Sequence, residues 1–166
     1  MSRIVKGLRK EIEKNPQLAK ISQKAKIKKT GLFQSEIKLG KYKIILDEDT
    51  AIGGANTGPN ASTTILGTVG GCMVATIEAW SQILDIPIDS VEISVKGDLD
   101  IRGMLGLDEK IKPQYQILDV KISVKSSAEE AKIKELINKA ETHCPVLNTV
   151  KNPVNIKTSL KYEKNG

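Results

Sequence analysis

A chain of 166 residues, 39% of them hydrophobic, is long enough for one compact domain with a sizeable core. Its net charge of +6 is spread along the sequence, and only the first 30 residues are plainly basic, so the excess does not mark an extended acidic partner. One Trp, one Phe and three Tyr lie scattered; they offer no stacking platform, and nucleic-acid binding is not expected.

The N-terminus, Met1-Ser-Arg-Ile-Val-Lys-Gly-Leu-Arg, lacks the apolar core and small-residue cleavage site of a secretory signal, which predicts a cytoplasmic protein. A basic helix opens the chain, is interrupted near Asn15-Pro16 and forms an appendage over residues 1–24, ahead of a main domain at 25–166. Short strands follow at about 25–29, 32–39 and 41–47, as a meander. Residues 50–77 carry no charge, yet six glycines, a proline and two asparagines argue against a membrane span. We read a turn-rich loop over 51–60 and then a buried helix from about Ser62 to Leu84, with Ile65, Leu66, Val69, Met73, Ile77, Trp80 and Leu84 at helical spacing.

Strands 90–97 and 115–125 alternate apolar and polar residues, so each has one covered and one wet face. Ser127 and Glu130 read as a capping box for an amphipathic helix ending near Thr142. A last alternating strand is predicted over Val154–Tyr162. The fold class is α+β, with two long helices against a mostly antiparallel sheet.

Two cysteines carry the chemical interest. Cys72 lies inside the central helix directly after Gly70-Gly71, where small side chains leave room for another group or only permit close packing. Cys144 precedes Pro145, which places it at the N-cap of a short helical turn running to about Lys151. Amide donors, the helix dipole and His143 would favour a thiolate there, making Cys144 the more acidic of the pair; the alternative is a buried, inert cap. A metal site from Cys72, Cys144, His143 and Asp47-Glu48-Asp49 lacks local ligand spacing, and the acidic run reads as a solvated strand end. Gly53-Gly54 with Gly58-Pro59-Asn60 lacks a phosphate-loop signature and reads as turn chemistry. Neither a cofactor nor a metal is expected.

The run Gly53-Gly54-Ala-Asn56-Thr-Gly58-Pro59-Asn60, then Ile65-Leu66-Gly-Thr-Val-Gly70-Gly71-Cys72, Asp98-Leu-Asp-Ile-Arg102-Gly103, Cys144-Pro145-Val146 and Asn152-Pro153-Val154 resembles, in order and spacing, the OsmC/Ohr family of osmotically induced and organic-hydroperoxide-resistance proteins. The resemblance covers roughly residues 25–162. It implies an intertwined homodimer with the long helices packed centrally and active sites at the subunit interface. It also implies thiol-dependent reduction of organic or inorganic hydroperoxides, with Cys72 peroxidatic, Cys144 resolving, and a dithiol reductant restoring both.

The sequence departs from that family where its peroxidases carry a glutamate nine or ten residues before the first cysteine, because Ser62 and Thr63 stand there. It also has no arginine between residues 10 and 101, where the family's activating arginine belongs. Lys38 and Lys41 lie in the matching region but lack the bidentate fork, and Arg102 belongs to a loop motif. These departures keep open a non-catalytic member that binds a small apolar ligand near Thr63, Val69 and Cys72, or that senses oxidation.

Overall fold

The first helix, α1 (Arg3–Lys14), stops where sequence chemistry stops it: Asn15 caps a single 3-10 turn over Pro16–Ala19 by accepting from the Gln17 amide, and proline supplies the fixed φ of that turn. The computed structural model describes residues 3–164. Three strands follow, β1 (Lys26–Lys29), β2 (Ser35–Leu39) and β3 (Tyr42–Leu46), paired antiparallel in chain order. Gly40, at φ +59°, lets the β2–β3 connection turn in two residues between Leu39 and Tyr42. Ile27, Ile37 and Ile44 stand in register across this sheet, and both Ile27 and Ile44 are exposed.

Beyond β3 the acidic run is only in part the solvated strand end expected: Asp49 is exposed and Glu48 half-buried, but Asp47 turns inward. Asp47 is 2% exposed, and its carboxylate accepts from the Thr57 amide, the Thr57 hydroxyl and the Glu48 amide. Thr57 Oγ1 in turn accepts from Gln34, whose side-chain oxygen accepts from Thr30. A buried carboxylate needs such donors, and here they pin the turn-rich loop to the meander. The loop glycines permit this: a Cβ at Gly54 would stand 1.9 Å from the Glu48 carbonyl oxygen, and one at Gly58 2.4 Å from that of Ile45.

Asn60 then starts α2 (Ala61–Leu84) by accepting from the Thr63 amide at 2.8 Å. Val69, Met73 and Ile77 form its inner face and meet Leu136 and Ala140 of α4 (Glu130–His143), Leu147 of α5 (Pro145–Lys151), Ile86 and Cys144 in one core. Between α2 and α4 run β4 (Ser90–Leu99), the four-residue helix α3 (Ile101–Met104) and β5 (Tyr115–Lys125). In the β4–β5 ladder Val91, Ile93 and Val95 pair with Val124, Ile122 and Val120 and cover the core. At Gly70 α2 faces β4, and a Cβ there would meet Val95 and Ile93 at the ordinary contact distances of 3.4 and 3.7 Å.

Three expectations are corrected. The strands form two separate sheets of three and two, and within one chain it is β4 that packs on α2. The capping box does not form: the Ala128 amide donates to Ser126 Oγ, whose hydroxyl reaches the Pro87 carbonyl, so the chain is still turning at Ser127 and α4 begins at Glu130 behind Glu129. Val154–Tyr162 forms no strand, and none of the described strands pairs with it. Ile156 and Leu160 there are 81% and 89% exposed.

The chain exposes 13222 Å², whereas a compact monomer of 18.1 kDa exposes roughly 8,000 Å² by the size scaling of globular proteins. Much of the surplus is apolar: Leu32, Phe33, Met104, Leu105, Leu107 and Val154 are all exposed.

Candidate functional site

Cys72, Thr76 and Trp80 are spaced four residues apart on α2 and share one helical face. Opposite them stands the corner between α4 and α5. Cys144 closes α4 and opens α5 in a single extended residue at φ −72°, ψ 115°, the region that a following proline imposes. Asn148 secures this corner: its side-chain amide donates to the carbonyls of Cys144 at 2.8 Å and Thr142 at 3.1 Å, and its backbone amide also donates to the Cys144 carbonyl at 3.0 Å.

The corner sets Cys144 in the core cluster against which Cys72 of α2 packs. The two cysteines thus meet across 72 positions of sequence. Both are free thiols, Cys144 wholly buried and Cys72 partly exposed. Burial pushes the Cys144 thiol up, and Cys72 adds to that, while the Leu147 amide and Thr76 pull the other way. The expectation that Cys144 is acidified by its helix start is therefore overturned, because desolvation outweighs the dipole of a seven-residue helix. His143 is turned onto Trp80, ring centroids 4.6 Å apart. Its Nδ1 lies 2.8 Å from the Lys139 carbonyl, which can only accept, so that nitrogen carries the hydrogen.

The other residues considered for activation lie elsewhere. Ser62 donates to Asn60 Oδ1 and its carbonyl accepts from Tyr115 Oη at 2.8 Å; Thr63 lends its amide to the same cap. Lys38 pairs with Glu36 at 3.6 Å beside the Lys43–Glu36 pair at 3.0 Å. Lys41 lies 5.2 Å from the Tyr42 ring, so both lysines belong to the three-stranded sheet. Arg102 is held by the Asp100 carboxylate through Nε and Nη2 and shapes the α3 loop, as its motif suggested. Among the described residues no cluster of three or more His, Cys, Asp or Glu side chains could hold a metal ion.

Of the residues named for an apolar pocket, Thr63 lines an open groove of about 380 Å³ with Leu66, Gly67, Gly70, Gly71, Val74, Ile93 and Val95. Val69 is fully buried, and Cys72 is not among the groove's walls. Sequence reasoning missed Thr76, Trp80 and Asn148 as parts of the cysteine corner. For the first two the signal was present, since they follow Cys72 by one and two helical repeats of four.

An α+β chain with a cysteine on its central helix and a second at a helix–helix corner defines the class, and the comparisons agree. The family model described as OsmC-like protein matches residues 53–159, and the chain belongs to that family. Among solved structures, the OsmC-like protein of Mycoplasma pneumoniae superposes with a TM-score of 0.69 at 17% identity, over 80% of this chain and 89% of its own. An organic hydroperoxide resistance protein, OsmC, of Legionella pneumophila gives 0.55 at 16% identity, over 83% and 96% of the two chains. A further organic hydroperoxide resistance protein, from Elizabethkingia anophelis, gives 0.57 at 16% identity over 81% and 92%. At these identities the likeness is one of fold. No curated protein matches the sequence.

Proposed function

We propose that this protein is a thiol-dependent hydroperoxide reductase acting through Cys72 and Cys144. The observation that carries the reading is the meeting of a partly exposed Cys72 with a buried Cys144 across the α2 and α4–α5 elements. In the proposed cycle the Cys72 thiolate attacks a peroxide oxygen: an S–O bond forms, the O–O bond breaks, and the alkoxide leaves as the alcohol after taking a proton. Cys72 is then a sulfenic acid. Cys144 sulfur attacks Cys72 sulfur, the S–O bond breaks, and hydroxide departs with the Cys144 proton as water. An external dithiol returns both thiols by exchange and becomes a disulfide itself.

The working unit in this reading is a homodimer of the cytoplasm. The surplus exposed surface supports a second copy, as does the unpaired Val154–Tyr162 segment with its apolar Val154, Ile156, Leu160 and Tyr162. No helix among the described residues is long and apolar enough to cross a membrane. Residues 1–24 stay an appendage in this reading, with α1 tied to the end of α2 by the Lys6–Asp85 pair.

A second reading is favoured by Ser62 and Thr63, which donate to the Asn60 cap of α2 where the family's peroxidases carry a carboxylate. In it the protein binds an apolar ligand or senses oxidation once. The experiment is to reduce the protein, add an alkyl hydroperoxide with excess dithiol at neutral pH, and count equivalents consumed per subunit beside Cys72→Ser. Many equivalents, lost in Cys72→Ser, support the reductase. A halt at one equivalent supports the sensor, and thiols that survive no worse than free cysteine support the binding module.

A further inference from the structure

The net charge of +6, which averaged along the chain marks no acidic partner, is unevenly placed. Residues 1–30 hold ten Lys or Arg against Glu11 and Glu13, whereas the rest of the chain holds sixteen basic and eighteen acidic residues. From Lys14 to Ser35 there is no acidic residue at all. Charge gathered in one part of a chain points to a polyanionic surface.

The structure leaves most of these cations open. On α1 the two glutamates are already answered, Glu13 by Arg9 at 3.1 Å and Glu11 by Lys14 at 3.4 Å, and Lys6 reaches Asp85. Lys10, Lys20, Lys24, Lys26, Lys28 and Lys29 make no ion pair among the described residues. Every residue from Glu13 to Thr30 is exposed. The register of β1 sets Lys26 opposite Lys38, and Lys38 opposite Lys43, although like charges directly opposite weaken a sheet. Glu36 pairs with Lys38 and Lys43 but not with Lys26.

The same region is also apolar. Ile4, Val5, Leu8 and Ile12 lie on one arc of α1. Val5 and Ile12 are half-buried, while Ile4 and Leu8 are 75% and 58% exposed. Gly7 beside them faces open space, and Lys10 stands one turn further on. Beyond the helix, Leu18 and Ile21 are exposed on either side of Lys20 in the sequence.

These properties together select among polyanions. A phosphate backbone would use the lysines but not the open isoleucine and leucine, and residues 1–30 hold no aromatic side chain on which a base could stack. A second copy of this chain brings the same basic segment, and its remaining charge is nearly balanced. A bilayer with anionic headgroups takes both features, since aliphatic side chains enter the acyl boundary while lysine stems carry their charge out to the headgroups.

We propose that α1 and the lysine-rich segment running into β1 form a docking surface for an anionic lipid bilayer, with Ile4 and Leu8 entering the interface and the unpaired lysines held over the headgroups. The contact is peripheral and reversible. It uses no thiol, so its outcome is separate from that of the reductase reading.

The test is co-sedimentation of the full-length protein with vesicles of phosphatidylglycerol and phosphatidylcholine in equal parts, beside vesicles of phosphatidylcholine alone. Binding is expected to the mixed vesicles only, and is lost in about 1 M salt, where charges are screened within about 3 Å. Lys20→Gln with Lys24→Gln should weaken it about thirtyfold through the loss of two cations near the surface. Ile4→Gln with Leu8→Gln should weaken it at least about tenfold without lowering the melting temperature, because both side chains are exposed. No binding to the mixed vesicles, equal binding to phosphatidylcholine alone, or binding that ignores either pair of substitutions overturns the proposal. Polyuridylate held more tightly than vesicles, and unaffected by the Ile4 and Leu8 changes, would assign the lysines to a nucleic acid. A fall in sedimenting mass of the Ile4 and Leu8 variant without vesicles would assign that face to a second copy, and either result also overturns it.

Discussion

Trp80 and His143 stack with ring centroids 4.6 Å apart and planes tilted by 49°, joining α2 to the last turn of α4 one residue before Cys144. Trp80 is the chain's single tryptophan, so its fluorescence reports on this corner alone. Closing a Cys72–Cys144 disulfide with a thiol oxidant should shift the emission, because the Cys144 backbone must move with its sulfur and His143 is bonded to it. Cys144→Ser should show no shift. An emission unchanged while peptide mapping finds the disulfide would mean that the corner does not move.

Acid should loosen the loop between β3 and α2. The Thr57 hydroxyl, with the amides of Thr57 and Glu48, holds the Asp47 carboxyl below the ordinary aspartate value of 3.8, against an opposing push from burial. A depressed folded-state pKa contributes stability that is fully present above the unfolded value and is lost as pH falls through the folded one. Melting temperatures of wild type and Asp47→Asn should therefore differ most near neutrality and converge below that value. A gap that persists unchanged in acid would assign the effect to side-chain shape instead.

Glycine replacements should separate close approach from helix propensity. Gly54→Ala drives a Cβ into the Glu48 carbonyl, and overpacking of this kind costs about 1–3 kcal/mol. Gly7→Ala meets nothing within 4 Å inside α1, where alanine is favoured by about 1 kcal/mol. Chemical denaturation should move in opposite directions for the two. Equal shifts would mean that the loop can retreat from Glu48.

The dimer is tested at two places that are open in a single chain. Gly71 has no neighbour within 4 Å of an added Cβ, so Gly71→Leu should leave an isolated subunit folded but weaken association if the proposed second copy closes that helix face. Removing residues 153–166 should do the same by deleting the unpaired Val154–Tyr162 segment. Sedimentation equilibrium checks both. A wild type that sediments at 18.1 kDa would sink the dimer itself.

Periodicity was enough for α2, β4 and β5, whose apolar residues recur at one spacing over many positions and bury on one face. The proline after Cys144 was enough for the α4–α5 break. Asp47 was misjudged because its donor Thr57 sits 10 positions away, and Gln34, which braces Thr57, 23 positions before that threonine, so the set comes together only when the loop folds. The acidity of Cys144 was misjudged for a related reason: a cap position is local and readable, whereas complete burial depends on Met73, Leu136 and Ala140 arriving from elsewhere. Val154–Tyr162 has the alternation of a strand, but alternation does not say which chain provides the neighbour.

In the proposed cycle the burial of Cys144 also sets a direction for repair. A disulfide between a covered sulfur and a partly open one offers an incoming thiol a single entrance, so the mixed disulfide formed on the way back must sit on Cys72 and the leaving sulfur must be that of Cys144. The reductant then needs to fit only the surface around α2. The interior thiol is released without ever being touched.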